Sequence, residues 1–267
     1  MSRLSPGRIG FLILVVLMFI YLLAPVIMVI PMSFSGANSL VWPPPSWSTR
    51  WYAAILQDAE MAAALRNSLV LASIVTALSL TIGGAAAYAL NRGRYPGREA
   101  MSALLTAPLL LPSIVLGLAL LIIFVQLRLI GQWPGLVLAH LLITLPYAIR
   151  VLGTALATLP PAVEDAAASL GAPPGTVFRR ITLPLMARGV VAAGAISFLV
   201  SFDEVVITLF VVGPQLNTLP VALYHYVERR TDPQVAAISV LLILFTLVLV
   251  LVMERAIGLR RTIGGRG

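Results

Sequence analysis

"EDAAASLGAPPGTVFRRITLPL", residues 164–185, is a charged segment punctuated by proline and glycine inside a chain that is otherwise strongly apolar. The chain has 267 residues, of which 60% are hydrophobic and 10% are charged, and its mean hydropathy is +1.00. A soluble domain carries about 25% charged residues, so this composition could not cover a water-facing surface. The sequence therefore predicts an integral membrane protein, with residues 164–185 exposed between two apolar segments.

Missing residue types and motifs exclude several functions. The chain has no cysteine, which excludes disulfides and thiolate catalysis. All 18 basic residues are arginine, so a lysine-containing phosphate loop is absent and any ATP hydrolysis must come from another chain. His140 and His225 lack metal-motif spacing, and we interpret both as structural. An intramembrane enzyme remains the alternative class, although the sequence has no H-E-x-x-H motif and Asp203 has no convincing partner aspartate in another span.

Six apolar stretches are long enough to cross a bilayer core of about 30 Å, which takes roughly 20 helical residues. They cover about residues 9–30, 65–90, 101–127, 135–152, 189–212 and 235–253. Pro108, Pro112 and Pro146 interrupt the third and fourth stretches, where they could kink the helix, but we favour packing roles. We expect an all-α membrane protein that forms a single domain over residues 1–267, with an extended loop at about 154–188.

The distribution of arginine predicts the orientation of the chain. With the N-terminus in the cytoplasm, 13 arginines fall on the inner side and 5 on or near the outer side. Because inner loops are enriched in basic residues, we expect both termini and the loop at about 154–188 to be cytoplasmic. The inner arginines are residues 3, 8, 92, 94, 98, 150, 179, 180, 188, 255, 260, 261 and 266.

The quoted segment has the features of a short helix followed by a turn. Pro161 suits the first helical position, and Glu164 and Asp165 are favourable in the first turn. Gly171 is a natural C-terminal stop. An apolar stripe at helical spacing comprises Val163, Ala166, Ala167 and Leu170. This stripe either packs on the chain's own loops or the lipid surface, or it docks to a partner protein.

The same residues resemble a motif of the membrane subunits of binding-protein-dependent ABC importers. That motif reads E-A-A, three residues, G, nine residues, I-x-L-P. Here Asp165-Ala166-Ala167 is followed at the same spacings by Gly171 and by Ile181-x-Leu183-Pro184. Asp165 stands where the family has glutamate, with Glu164 beside it. The stretches SFDEVVITLFVVGP (201–214) and TLPVALYHYV (218–227) resemble the spermidine/putrescine branch of that family.

The resemblance implies the type I importer permease fold and a place in the bacterial inner membrane. It also implies two ATP-binding subunits that hold ATP and Mg²⁺, a second permease subunit that is non-identical in the polyamine branch, and a periplasmic substrate-binding protein. The chain itself would be neither an enzyme nor the holder of a cofactor or metal. The solute would be a polyamine, with opines, aminophosphonates, metal ions or oxyanions as alternatives. The implied ATPase-coupling residues are Glu164, Asp165, Ala166, Ala167, Gly171, Leu183 and Pro184. Arg179 and Arg180 would contact either ATPase carboxylates or lipid headgroups.

An acidic pair in the fifth predicted span is the candidate for the substrate pathway. Asp203 and Glu204 lie about 15 residues into that span, roughly 22 Å from its inner end. Carboxylates within spans usually face a cavity or a partner, and a cationic solute would use them. Phe202 could add cation–π attraction. The alternative is a structural ion pair with Arg66 or Arg128. In a continuous helix adjacent residues point about 100° apart, so we expect only one carboxylate to line the path.

Overall fold

The computed structural model describes residues 6–214 and 216–257, and every regular element in this part of the chain is helical. The orientation prediction also counts Arg3, Arg260, Arg261 and Arg266, which lie outside the described residues. The first seven α-helices are α1 (Pro6–Ser33), α2 (Arg50–Gln57), α3 (Ala59–Arg92), α4 (Arg98–Thr106), α5 (Ser113–Gln126), α6 (Trp133–Ala157) and α7 (Pro161–Ser169). They are followed by α8 (Pro174–Val177), α9 (Leu183–Leu185), α10 (Ala187–Phe202), α11 (Val206–Val211), α12 (Leu219–Arg229) and α13 (Gln234–Ile257). A 3₁₀ turn, Ala107–Leu110, follows α4, and a π-helical segment, Phe178–Thr182, joins α8 to α9.

The helices account for four to six membrane spans by length and composition. In the described part of the chain, α1, α3, α6 and α13 are each long and apolar enough to cross a bilayer. Two bent helix pairs, Arg98–Leu110 with Ser113–Gln126 and Pro174–Leu185 with Ala187–Phe202, bring the total to six if each pair is one span. This range is compatible with the six spans that the sequence predicts.

The chain forms two compact units, the first comprising residues 1–62 and 223–245. Here aromatic side chains of α2 hold the end of α1. Trp51 Nε1 donates to the carbonyl oxygen of Ser35 at 2.9 Å, and the hydroxyls of Tyr52 and Ser33 are 2.7 Å apart.

The second unit comprises residues 63–222 and 246–267, and two apolar cores lie among its described residues. One core joins α3, α5, α6 and α11, and its buried side chains include Leu71, Val75, Phe124, Leu136, Ile143, Ile207 and Val211. The other joins α3, α6, α10 and the residue before α10, and its buried residues are Ala87, Leu152, Leu156, Met186 and Ala193. The long helix α6 therefore contributes to both cores.

The third predicted span is not one straight helix, because the chain bends by 103° between the 3₁₀ turn after α4 and the start of α5. Leu111 is extended, with φ −94° and ψ 138°, and Pro112 caps α5. A residue that precedes proline is disfavoured in the helical region, so the bend lies where Pro112 requires it. The preference for a packing role over a kink was therefore wrong for this proline. Pro146, in contrast, is buried within the uninterrupted α6.

The fifth predicted span, about 189–212, is also interrupted. The helix α10 ends at Phe202, residues 203–205 are not helical, and α11 begins at Val206. At its other end α10 meets the segment Pro174–Leu185 at an angle of 74°. The acidic pair therefore lies in a break between two helices rather than inside one helix.

Candidate functional site

Local sequence defines α7, the short helix at the centre of the quoted segment. Pro161 occupies its first turn, and the helix ends at Ser169. Gly171 has φ +84°, a conformation that glycine adopts without steric strain. The amide of Gly171 donates to Ala168 and that of Ala172 donates to Ala167, which is the Schellman arrangement. The predicted helix and its glycine stop are thus observed.

One side of α7 is open. Leu170 is 90% exposed and Val163 is 39% exposed, and Asp165 and Ala166 are exposed as well. Ala167 is half-buried. An isolated helix of nine residues is marginal in water, so contacts on its other side must hold it in place. The part of the chain described by the structure leaves the predicted apolar stripe largely uncovered.

The other side of α7 is anchored by a buried carboxylate. Glu164 is 9% exposed, and its Oε2 accepts a hydrogen bond from Arg92 Nε at 2.6 Å. Its Oε1 accepts from the hydroxyl of Thr182 at 2.6 Å. The resemblance groups Glu164 with the residues that contact an ATPase. In the structure, both oxygens of its carboxylate accept hydrogen bonds from residues of the same chain. Asp165 is the exposed carboxylate of α7.

Arg92 joins this carboxylate to the end of a long helix. Its Nη2 donates to the carbonyl oxygens of Leu159 at 2.9 Å and Leu156 at 3.3 Å, at the C-terminal end of α6. In the sequence Arg92 is visible only as an orientation signal, and Thr182 occupies the variable position of the I-x-L-P motif. No local pattern pairs these residues, since Arg92 and Glu164 are 72 positions apart.

The segment after α7 places the remaining motif residues. Val177 is buried, and Phe178 makes an edge-to-face contact with Tyr88 of α3 at 5.6 Å between ring centroids. Arg179 and Arg180 are exposed, so both alternatives for their contacts remain open. Leu183 and Pro184 are exposed in α9.

The acidic pair occupies the break between α10 and α11, where the two carboxylates have different surroundings. Glu204 Oε1 accepts the amide hydrogen of Ile207 at 2.8 Å and so caps the first turn of α11. Asp203 is exposed. Among residues 6–214 and 216–257, neither carboxylate forms an ion pair with Arg66 or Arg128. Because α10 ends before Asp203, the expected 100° offset between the two side chains along one continuous helix was wrong.

A cavity of about 370 Å³ lies at this break. Its lining residues are Leu199, Val200, Phe202, Asp203, Glu204 and Thr246. Phe202 is largely buried, and its ring stacks on Phe198 with 5.8 Å between centroids. The structure thus brings the three residues of the predicted substrate pathway to one cavity.

His140 occupies a buried position that bridges three helices. Its Nδ1 lies 3.0 Å from the Ser201 hydroxyl of α10, and its Nε2 lies 3.0 Å from Thr208 Oγ1 of α11. Thr208 donates its own proton to the carbonyl oxygen of Glu204, so it accepts the Nε2 hydrogen of His140. Within the described residues no cluster of three metal-ligating side chains is present. These contacts agree with the structural role predicted for His140.

Comparison with known proteins identifies relatives along most of the chain. Residues 79–259 match the family model described as binding-protein-dependent transport system inner membrane component. The putrescine transport system permease protein PotI of Escherichia coli strain K12 is 34% identical, over 90% of this chain and 86% of that protein. The spermidine/putrescine transport system permease protein PotC of the same strain is 31% identical, over 86% of this chain and 87% of that protein.

A solved structure shows the same fold. It is a bacterial alginate ABC transporter in complex with an alginate pentasaccharide-bound periplasmic protein. One of its chains superposes with a TM-score of 0.70 at 18% identity, covering 97% of this chain and 94% of that chain. At this identity the likeness concerns the fold alone.

Proposed function

Because the chain belongs to the family of binding-protein-dependent transport system inner membrane components, it is the permease subunit of an ABC importer, and we propose that its solute is a polyamine. It is a multi-pass protein of the bacterial inner membrane. Its relatives are transport permeases rather than enzymes. The observation that carries the polyamine assignment is the similarity to PotI and PotC along nearly nine tenths of the chain.

The proposed complex contains two permease subunits, two ATP-binding subunits and a periplasmic substrate-binding protein. This chain forms half of the pathway, beside a second and non-identical permease. ATP and Mg²⁺ are held by the ATP-binding subunits, and this chain holds no cofactor of its own. The exposed face of α7, with Asp165, Ala166 and Leu170, supports a docking role because no described part of the chain covers it. ATP-driven closure of the ATPase dimer then moves α7 and the helices attached to it.

The cavity at the helix break supports a cationic solute. Asp203 offers an exposed carboxylate beside apolar side chains, which suits a solute with ammonium groups on an alkyl chain. Glu204 contributes to the same cavity while it caps α11. We assign Asp203 to the solute path, with Glu204 at its edge.

Uptake of radiolabelled putrescine and spermidine tests this assignment in a strain that lacks the gene. Expression of the chain with its partner subunits should restore uptake, and each unlabelled polyamine should compete with the other. Asp203→Asn should lower the uptake rate roughly tenfold, as expected for a charge contact of about 1.4 kcal/mol. The matched control is Glu99→Gln, which removes an exposed carboxylate from the first turn of α4. Equal rates in the two variants would remove Asp203 from the path.

A second candidate is the same machinery with another solute. The fold also occurs in a transporter whose structure contains alginate, so the fold does not select polyamines. Competition with an opine, an aminophosphonate, a divalent metal ion and molybdate, each in excess over labelled putrescine, separates the candidates. Failure of putrescine and spermidine to be taken up would reject the polyamine assignment while leaving the permease role intact.

Cross-linking tests the docking role of α7. The chain contains no cysteine, so single cysteines can be introduced without background. Ala166→Cys and Leu170→Cys, carrying a photoactivatable cross-linker, should capture the co-expressed ATP-binding subunit. Trp47→Cys, at an exposed position outside α7, is the control and should not capture it. Capture of only lipid or of the chain's own loops from Ala166 would refute docking.

A further inference from the structure

We propose that Arg92 and Glu164 are positioning residues that transmit the movement of α7 to the long helices α3 and α6. This inference rests on the proposed function, in which ATP-driven closure of a partner moves α7. It adds a mechanical path inside the chain and assigns Glu164 to that path instead of to the docking surface.

Four elements meet at these two side chains. Arg92 is the last residue of α3, and Glu164 lies in the first turn of α7. The guanidinium bonds the Glu164 carboxylate and also reaches the carbonyl oxygens of Leu156 and Leu159 where α6 ends. The second carboxylate oxygen is bonded by Thr182 of the π-helical segment. We call this set of contacts the junction, and its side chains are Arg92, Glu164 and Thr182.

Burial makes the junction stiff. The side chains of Arg92 and Glu164 are 16% and 11% exposed, and Thr182 is fully buried. A charged pair in such surroundings is held to its geometry, because a partner that moves away leaves an unpaired charge with little water. The planar guanidinium makes several hydrogen bonds in fixed directions, which a lysine could not reproduce. Displacement of α7 therefore displaces the ends of α3 and α6 with it.

A direct contact of Glu164 with an ATPase is the competing explanation. Both of its carboxylate oxygens already accept hydrogen bonds inside the chain, at 2.6 Å each. The neighbouring carboxylate, Asp165, is exposed and free to face a partner. Glu164 therefore makes its contacts inside the chain, and Asp165 is the acidic residue available for contact with a partner.

The test follows nucleotide-driven movement at two labelled positions in the assembled complex. Spin labels are placed by Leu170→Cys on the open side of α7 and by Ser73→Cys on an exposed position of α3. In the parent protein, ATP with vanadate should change the spectra of both labels. In Glu164→Gln the Leu170 label should still respond, while the response of the Ser73 label should fall about fivefold or more, the size of a typical coupling between sites.

Arginine variants provide a matched comparison. Arg92→Gln should reproduce the loss at the Ser73 label, whereas Arg94→Gln should not. Arg94 is exposed two residues further along the chain, so its variant removes the same charge without touching the junction. Thr182→Val removes one hydroxyl with little change in volume and should lower the Ser73 response by a smaller factor. It serves as the test if Glu164→Gln does not accumulate in the membrane.

The outcomes separate the junction from the proposed function. An unchanged Ser73 response in Glu164→Gln, or in Thr182→Val where that variant is the test, would overturn the junction and leave the docking role standing. Loss of the Leu170 response together with loss of ATPase co-purification in Glu164→Gln would make Glu164 a docking residue, which also overturns it. Absence of any nucleotide response at Leu170 in the parent protein would overturn the junction and the docking role of α7 together. Putrescine uptake is a separate readout, so an incorrect solute does not affect the result.

Discussion

At the residue scale, Gly171 shows how one backbone conformation shapes the candidate coupling site. Its φ of +84° ends α7 and turns the chain toward α8, yet a side chain at this position would meet nothing within 4 Å. Conformation rather than space therefore requires glycine here. An L-residue in the left-handed region costs about 1–2 kcal/mol, and asparagine tolerates it better than most.

We therefore expect Gly171→Ala to impair transport and Gly171→Asn to retain most of it. The alanine variant should favour continuation of α7 and tilt its exposed face. The measurement is solute uptake per copy of membrane-inserted protein, together with co-purification of the ATP-binding subunit. Similar loss in both variants would show that the absence of a side chain, and not the backbone angle, is what matters.

His140 provides a prediction for the break between α10 and α11. Its imidazole satisfies the hydroxyls of Ser201 and Thr208, so His140→Leu leaves both without this partner in a buried site. An unsatisfied buried group costs about 1–3 kcal/mol, and we expect a clearly lower melting temperature of the detergent-purified protein. His225→Leu changes a half-exposed histidine of α12, whose side chain is 41% exposed, and should melt like the parent protein. Equal melting of the two variants would contradict the bridging role.

At the element scale, α3 and α6 pack closely against each other, and the ends of these two helices contact α7 through Arg92. A Cβ added at Gly83 would lie 2.9 Å from the Cβ of Ala148, an atom that cannot rotate away. A Cβ at the adjacent Gly84 would meet only Leu152 Cδ1, at an ordinary 3.7 Å. A methyl group therefore fits at Gly84, whereas at Gly83 it clashes with Ala148.

This difference predicts opposite behaviour of two alanine substitutions. Gly83→Ala should destabilise the protein by about 1–3 kcal/mol, because the two helices must separate. Gly84→Ala should be neutral or slightly stabilising, because alanine favours the helix. Thermal unfolding of both purified variants in one detergent checks the pair. A greater loss in Gly84→Ala would show that α3 and α6 pack in another register.

At the scale of the whole molecule, function depends on the direction in which the chain crosses the membrane. The arginine distribution predicts that α7 lies in the cytoplasm, on the side where an ATP-binding subunit would reach it. We expect Leu170→Cys to react with a membrane-impermeant maleimide only in inside-out vesicles, and Trp47→Cys only in right-side-out vesicles. Both positions are well exposed, at 90% and 69%. The reverse labelling pattern would refute the orientation and, with it, docking of α7 to an ATPase.

The features that could be predicted from sequence alone depend on composition or on residues that are close together in the chain. Membrane class follows from apolar composition, and α7 follows from a proline at its start and a glycine at its end. The bend at Pro112 has a visible cause in sequence, although proline content by itself does not separate it from the unbroken helix around Pro146. The family motif located the exposed face of α7, but it did not distinguish the outward Asp165 from the inward Glu164.

The sequence by itself determined the solvent in which the chain folds, the number of apolar segments and the limits of α7, because each depends on residues close together in the chain. Only the tertiary structure decided the break at residues 203–205, which contain neither proline nor glycine. There Glu204 caps α11, and α11 packs with Val211 and Ile207 in the core. The structure likewise decided the junction, since Arg92, Glu164 and Thr182 are separated by 72 and 18 positions. Such pairings depend on how the helices pack against one another, and no local sequence pattern predicts that packing.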